Sequence, residues 1–280
     1  MSYLKIKSHA KINLALNIVG KFKKLHKIES IVCFLDLHDE IKIKKINHKN
    51  HKIRFIGRFS RGIYSKNTVS RLMENLEKKR LFKNKYQIII KKNIPSKSGL
   101  GGGSMNAISV LNFFLKRKLI KIKKKEIVKL SNSIGSDVIL GLYLKSLILK
   151  SNNSIKILPF KKSFYTLIVK PNFGCSTKTI YSKVKKFYKP EFNNISKSLL
   201  DLKFLNKKKN DLETIALSEY SKLKKLKIFL DKSLNSELVR MTGSGSAMVA
   251  YFNSLKKCKE AEKKVKKQFR NYWCKTSKTI

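Results

Sequence analysis

Pro95-Ser96-Lys97-Ser98-Gly99-Leu100-Gly101-Gly102-Gly103-Ser104-Met105-Asn106-Ala107 carries glycine at four of the five positions from 99 to 103. Glycine forgoes side-chain contacts and loses more backbone entropy on ordering than Ala, so such a cluster fills a core poorly and needs another reason. The run before it, Tyr86-Gln87-Ile88-Ile89-Ile90, is β-branched and reads as a strand that Pro95 ends. After it, Met105, Ile108, Leu111 and Leu115 recur at three- and four-residue steps, the spacing of one buried helix face. A glycine turn leading from strand to helix exposes N–H groups at the positive end of the helix, where phosphate binds. A tight turn without a ligand is the competing reading. Two familiar glycine loops are excluded by residue type. A P-loop needs Gly-Lys-Ser/Thr at the helix opening, and here the helix opens Gly103-Ser104-Met105. A dinucleotide fingerprint wants a third glycine where Ser104 stands and an acid about 20 residues on, where the chain runs Lys123-Lys124-Lys125-Glu126.

At 280 residues the chain has room for one or two domains. Its 65 Lys+Arg against 17 Asp+Glu give a formal charge of +48, which raises the alternative of a basic RNA- or ribosome-binding protein. The excess is nearly all lysine and runs from Lys5 to Lys278, whereas a nucleic-acid footprint is clustered and richer in arginine. Abundant Ile and Asn go with it, as an A+T-rich coding bias produces. Cys33, Cys175, Cys258 and Cys274 form no Cys-x-x-Cys pair, which argues for a reducing compartment and against structural zinc. No apolar run reaches about 18 residues and strand-like sequence begins at Tyr3, so neither a spanning helix nor a leader peptide is expected, and a cytoplasmic location follows.

Ser8 to Ile18 alternates: Ile12, Leu14, Leu16 and Ile18 take one face of a strand, and Lys11, Asn13, Ala15 and Asn17 the other. Lys11 and Asn13 then belong either to a solvated face or to a site. His26, in a turn after Leu25, reads as a surface residue or a ligand. Ile28 to Leu37 is an apolar run, Asp39 to Lys44 a further strand, and Asn67 an N-cap for a helix with Val69, Leu72, Met73 and Leu76 on one side. Lys125 to Ile134 reads as a helix closed by Gly135. Asp137 follows, the sole acid between Glu126 and Glu191; a carboxylate at the mouth of an apolar run caps, pairs or does chemistry. Composition changes at Ser151-Asn152-Asn153-Ser154, giving expected domains 1–150 and 151–280. The second holds another glycine cluster, Met241-Thr242-Gly243-Ser244-Gly245-Ser246, which is either a turn or a partner of the first loop over one ligand.

Ala10-Lys11-Ile12-Asn13-Leu14-x-Leu16, Gly99-Leu100-Gly101-Gly102-Gly103-Ser104-x-Asn106-Ala107, Gly135-Ser136-Asp137, Asn210-Asp211-Leu212-Glu213 and Met241-Thr242-Gly243-Ser244-Gly245, in that order, resemble the GHMP kinases. Within that superfamily they resemble the members that act on a cytidine-diphosphate-linked polyol of the non-mevalonate isoprenoid route. The resemblance spans nearly the whole chain. It implies an α+β, two-domain kinase with a ribosomal S5 domain 2-like N-terminal half and a ferredoxin-like C-terminal half. It also implies ATP with Mg²⁺, a small-molecule substrate and no specific nucleic acid or membrane partner; it singles out no protein metal ligands, and it leaves the choice between a monomer and a weak homodimer open. The loop Pro95, Ser96, Lys97, Ser98, Gly99, Leu100, Gly101, Gly102, Gly103, Ser104 and Met105 would hold the ATP phosphates. Asp137 would orient or deprotonate the attacking hydroxyl with Lys11 beside it. Asn13, His26, Tyr181, Gly243, Ser244 and Gly245 would face substrate. One departure stands out: relatives carry Asp-Gly-Tyr-His where this chain has Lys23-Lys24-Leu25-His26, so one aromatic wall for cytosine is missing and Tyr181 with His26 would have to serve.

Overall fold

The chain opens with two long strands, β1 (Leu4–Phe22) and β2 (Leu25–Ile46), in the computed structural model, which describes residues 2–23, 25–158, 163–193 and 202–280. Lys24 of the departure noted above lies outside the described residues. The apolar run to Leu37 and the strand from Asp39 are a single element, because no Gly or Pro interrupts residues 25–46. There follow β3 (Lys52–Ile56), α1 (Thr68–Lys78), β4 (Lys85–Lys91), α2 (Gly102–Lys116), α3 (Lys124–Ile134) and a 3-10 turn over Val138–Leu142. Then come β5 (Leu147–Leu149), β6 (Ile155–Ile157), β7 (Tyr165–Lys170), α4 (Thr177–Ser182), α5 (Leu202–Lys207), α6 (Asp211–Glu219), α7 (Ser221–Ser233), β8 (Leu238–Met241), β9 (Met248–Phe252), α8 (Leu255–Gln268) and β10 (Trp273–Lys278).

The chain forms two compact units that are discontinuous in sequence: Met1–Ala10, Leu37–Ser96 and Gly101–Leu144 make the first, and Lys11–Asp36, Lys97–Leu100 and Lys145–Ile280 the second. A cut at residue 151 was the sequence expectation. The last crossing falls at 144/145, but β1, β2 and the glycine loop each pass from one unit to the other. Composition changes cannot reveal such crossings, because long strands keep one pattern throughout.

In the first unit β3 runs parallel to β4, and β4 antiparallel to the second half of β2, with Ile43 opposite Ile88 and Ile41 opposite Ile90. All four isoleucines are buried. Asn67 caps α1 as expected: its side chain accepts from Val69 and Ser70 N–H, and Ser70 Oγ accepts from the Asn67 N–H, a reciprocal box whose loss costs about 1 kcal/mol. In the second unit an antiparallel sheet in the order β10-β7-β9-β8 shares one core with the helices. Leu223, Leu226 and Leu230 of α7, at three- and four-residue spacing, are each 0% exposed, a stripe worth about 1.5–3 kcal/mol per side chain relative to exposure. Among the described residues no helix is long and apolar enough to cross a membrane.

Candidate active site

The end of the glycine loop belongs to the first unit. Gly101 takes the left-handed conformation (φ 69°) at the N-cap of α2 and offers no side-chain cap, so the N–H groups of the first turn keep their capacity for a ligand. Side chains would not fit in this turn. A Cβ on Gly102 would lie 3.1 Å from Ile94 Cγ2 and 3.3 Å from Lys92 Nζ, and one on Gly103 3.4 Å from Thr68 Oγ1. Thr68 Oγ1 donates to the Gly103 carbonyl at 2.6 Å, tying the start of α1 to this turn.

Asp137 stands at the head of the 3-10 turn, half-buried, with no capping hydrogen bond from its side chain to that turn. Its side chain therefore does not cap that turn. Two features seat the turn on α2. A Cβ on Gly141 would come within 2.5 Å of Ile108 Cγ2, and Asn112 Nδ2 donates to the Leu142 carbonyl at 3.2 Å. Just before Asp137, a Cβ on Gly135 would sit 3.7 Å from Ser104 Oγ, in the first turn of α2. The loop carrying the carboxylate thus packs beside the helix end that can take phosphate. Sequence reading passed over Asn112, although a polar residue on an otherwise apolar helix face is the signal that could have found it. A cavity of about 600 Å³ lined by Phe55, Ile63, Tyr64, Asn67, Ser70 and Met73, among others, lies at the start of α1, next to Thr68.

The middle of the glycine loop, residues 97–100, belongs to the second unit and packs on the second glycine cluster. A Cβ on Gly99 (φ 76°) would lie 1.9 Å from the Thr242 carbonyl oxygen, and Thr242 Oγ1 donates to the Gly99 carbonyl at 3.2 Å. The N–H of Ala247 donates to the Ser98 carbonyl at 3.1 Å. The middle of the first glycine loop therefore packs directly against the second glycine cluster. Lys11 joins them: its N–H donates to the Leu100 carbonyl at 3.0 Å, and its ammonium donates to Asn13 Oδ1 at 2.8 Å. That same oxygen accepts from the Gly243 N–H at 3.0 Å, while Asn13 Nδ2 donates to Ser30 Oγ at 2.8 Å. A Cβ on Gly243 would stand 3.6 Å from Lys11 Nζ. Lys11 and Asn13 are 2% and 3% exposed, which removes the solvated-face reading. Asn13, expected to face substrate, has its amide engaged at both ends in setting the position of Lys11.

Asn210 supports the second loop from below, with Oδ1 accepting from the Leu212 N–H at the start of α6 and Nδ2 donating to the carbonyls of Met241 and Gly243 at 2.9 and 2.8 Å. Glu213 Oε2 accepts the Met241 N–H at 2.6 Å, and burial raises this carboxyl above the ordinary range. At the loop's tip the hydroxyls of Ser244 and Thr177 lie 2.8 Å apart. At the start of β2, His26 and Tyr181 bring their ring centroids to 5.1 Å with a 40° tilt, and Phe187 stands 6.2 Å from His26 on a similar tilt. Phe187 is 48% exposed and Leu25 77%. Burial, and then the Lys21 charge, lower the pKa of the His26 imidazole. Sequence reading missed Phe187 because nothing in a lysine-rich stretch places one phenylalanine beside a histidine 161 positions earlier.

Residues 67–143 match the GHMP kinases N terminal domain. Over its full length the chain is 54% identical to 4-diphosphocytidyl-2-C-methyl-D-erythritol kinase of Pelagibacter ubique (strain HTCC1062), covering 100% of both chains. It is 32% identical to the kinase of that name from Clostridium tetani, covering 99% of this chain and 100% of the other. Among solved structures a 4-(cytidine 5'-diphospho)-2C-methyl-D-erythritol kinase superposes with a TM-score of 0.77 at 20% identity, covering 98% of this chain and 99% of the other. Homoserine kinase from Cytophaga hutchinsonii gives 0.72 at 16% identity, covering 100% and 95%, so the two sheets and their helices form the GHMP kinase fold. Taken with the loop, lysine and aspartate just described, these likenesses show that the chain belongs to the 4-diphosphocytidyl-2-C-methyl-D-erythritol kinase family of the GHMP kinases.

Proposed function

We propose that this chain transfers the terminal phosphoryl group of ATP to the 2-hydroxyl of 4-diphosphocytidyl-2-C-methyl-D-erythritol, a step of the non-mevalonate route to isoprenoid precursors. The full-length 54% identity to the Pelagibacter kinase carries the reading, and the uncapped amides at the start of α2 supply its physical support. Phosphoryl transfer asks a protein mainly for placement and charge matching. The loop from Pro95 to Met105 holds the phosphates, chiefly through N–H groups at the start of α2, and the cavity beside Asn67 receives the base end of the nucleotide. Asp137 accepts the hydroxyl proton or aims its lone pair. Lys11, fixed by Asn13, offsets charge on the group in transfer. Gly243, Ser244 and Gly245 close on the substrate, with Tyr181, His26 and Phe187 stacking on cytosine.

Among the described residues no group of three or more His, Cys, Asp or Glu side chains could hold a metal ion. Mg²⁺ is bound by phosphates with one or two carboxylates rather than by an all-protein cage; bound here it would neutralise phosphate charge, with Asp137 the carboxylate at hand. The test is ADP release with the cytidylyl alcohol, using mevalonate, galactose and homoserine as controls. Asp137→Asn should cut kcat by about 10²–10⁴ while ATP still binds; retained turnover would remove Asp137 from the chemistry. RNA binding with a steep salt dependence and no ADP release would favour the basic-protein alternative instead.

A further inference from the structure

Asp39 and Lys92 form an ion pair inside the first unit, at 0% and 3% exposure. Removing two charges from water costs several kcal/mol per ion, and an apolar pair of similar volume commonly does as well or better, so stability alone does not explain it. Its neighbours offer a reason. Asp39 Oδ1 accepts the N–H groups of Asn93 and Ile94 at 2.7 and 2.9 Å, the two residues that lead into Pro95 and the glycine loop. Asn93 Nδ2 also donates to the His38 carbonyl at 3.0 Å. The other carboxylate oxygen takes the Lys92 ammonium. That ammonium lies 3.3 Å from where a Cβ on Gly102 would be, and Ile94 Cγ2 lies 3.1 Å from the same point. One carboxylate thus anchors the beginning of the loop, and through Lys92 it meets the first residue of the helix that ends the loop.

Charge adds a second argument. The N-terminus of α2 carries a partial positive charge of about half a unit, and the ammonium of the ion pair, rather than its carboxylate, is the end that lies beside Gly102. Burial lowers the Lys92 pKa from its ordinary value, and the Asp39 carboxylate works against that shift.

We propose that the Asp39–Lys92 pair positions the glycine loop for the nucleotide, bracing Asn93 and Ile94 before it and Gly102 at the start of α2, with the positive end of the pair turned toward that helix start. The proposal rests on the loop being the ATP site, as set out under Proposed function. ATP binding by titration calorimetry, beside steady-state kinetics, tests it in the full chain. Lys92→Met keeps the stem and removes the charge; it should weaken ATP binding about tenfold, with KM for the cytidylyl alcohol unchanged. Gly102→Ala provides an independent arm, since Ala suits a helix start better than Gly yet its methyl must displace Lys92 Nζ or Ile94. It should weaken ATP binding by about threefold or more without lowering Tm, a result that mere loss of stability would not give. The Asp39→Asn/Lys92→Met double variant should be no worse for ATP than Lys92→Met alone, because the two act as a unit.

ATP affinity within about threefold of wild type in Lys92→Met overturns the inference. Should that variant fail to fold, the same outcome in Gly102→Ala overturns it. Wild-type protein that binds no ATP would remove the kinase reading itself, whereas normal wild-type binding with indifferent variants removes this inference alone.

Discussion

Gly99→Ala is the substitution for which the structure gives the sharpest magnitude. The backbone there sits at φ 76°, where an Ala costs about 1–2 kcal/mol. That alone lowers Tm by roughly 2–8 °C in a chain of this size. The larger effect is steric: the new methyl would stand 1.9 Å from the Thr242 carbonyl oxygen, whereas ordinary contact begins near 3.4 Å. Neither atom is the end of a flexible side chain, so one of the two backbones must move by roughly 1.5 Å. Either movement disturbs the site, because Thr242 holds the Gly99 carbonyl and its neighbour Gly243 donates to the Asn13 oxygen that fixes Lys11. A misplacement of about 1 Å can cost a factor of about 10² in rate. ADP release should therefore fall by about 10² or more at saturating substrates, with the fold intact by circular dichroism. Gly62→Ala is the control: Gly62 has φ 78° and nothing within 4 Å of the added methyl, so it should share the small Tm loss and keep its activity. A Gly99→Ala enzyme as active as Gly62→Ala would falsify the idea that contact between the two glycine clusters sets the geometry of Lys11.

Two further predictions concern the base pocket and pH. Tyr181→Ala and Phe187→Ala should each raise KM for the cytidylyl alcohol by about two- to tenfold, as expected for losing one aromatic wall worth about 0.5–1.5 kcal/mol, with KM for ATP unchanged; indifference of Phe187→Ala would leave Tyr181 and His26 as the sole walls. His51 Nε2 bonds Glu77 at 2.8 Å and its Nδ1 accepts the Tyr86 N–H at 3.0 Å, an arrangement that needs the neutral ring. Burial is the leading cause that lowers its pKa below the ordinary 6.5. Its contribution to stability is thus complete above that value and is lost as pH falls through the lowered folded value. Tm measured across this range should decline less steeply toward acid in His51→Gln than in wild type, and identical slopes would exclude His51 as the group responsible.

Much of the site was legible because its parts are local. A glycine cluster between a β-branched run and a three-four repeat announces a strand, a turn and a helix start, and α2 begins at Gly102 with Gly101 as its αL cap. Asn67 capped its helix as its residue type foretold. Other parts depend on partners far away in sequence. By spacing alone Lys11 and Asn13 read more readily as a solvated strand face, whereas Thr242, Gly243 and Leu100 close over them. Phe187 beside His26, Asn112 under the 3-10 turn, and Asp39 at the foot of the glycine loop carry no local signature at all.

What the sequence determined by itself, then, is the set of elements and the residue chemistry, since periodicity, capping and turn preference act over a few residues. It also supplied kinship, because the motifs keep their order along the chain. Tertiary structure alone decided that the glycine loop crosses between two discontinuous units, that Gly99 must be glycine because a distant carbonyl fills the space of its Cβ, and that a buried ion pair joins the two ends of that loop. The physical reason is the same in each case: burial and hydrogen-bond satisfaction are set by which distant segments pack together, and a linear pattern does not encode that.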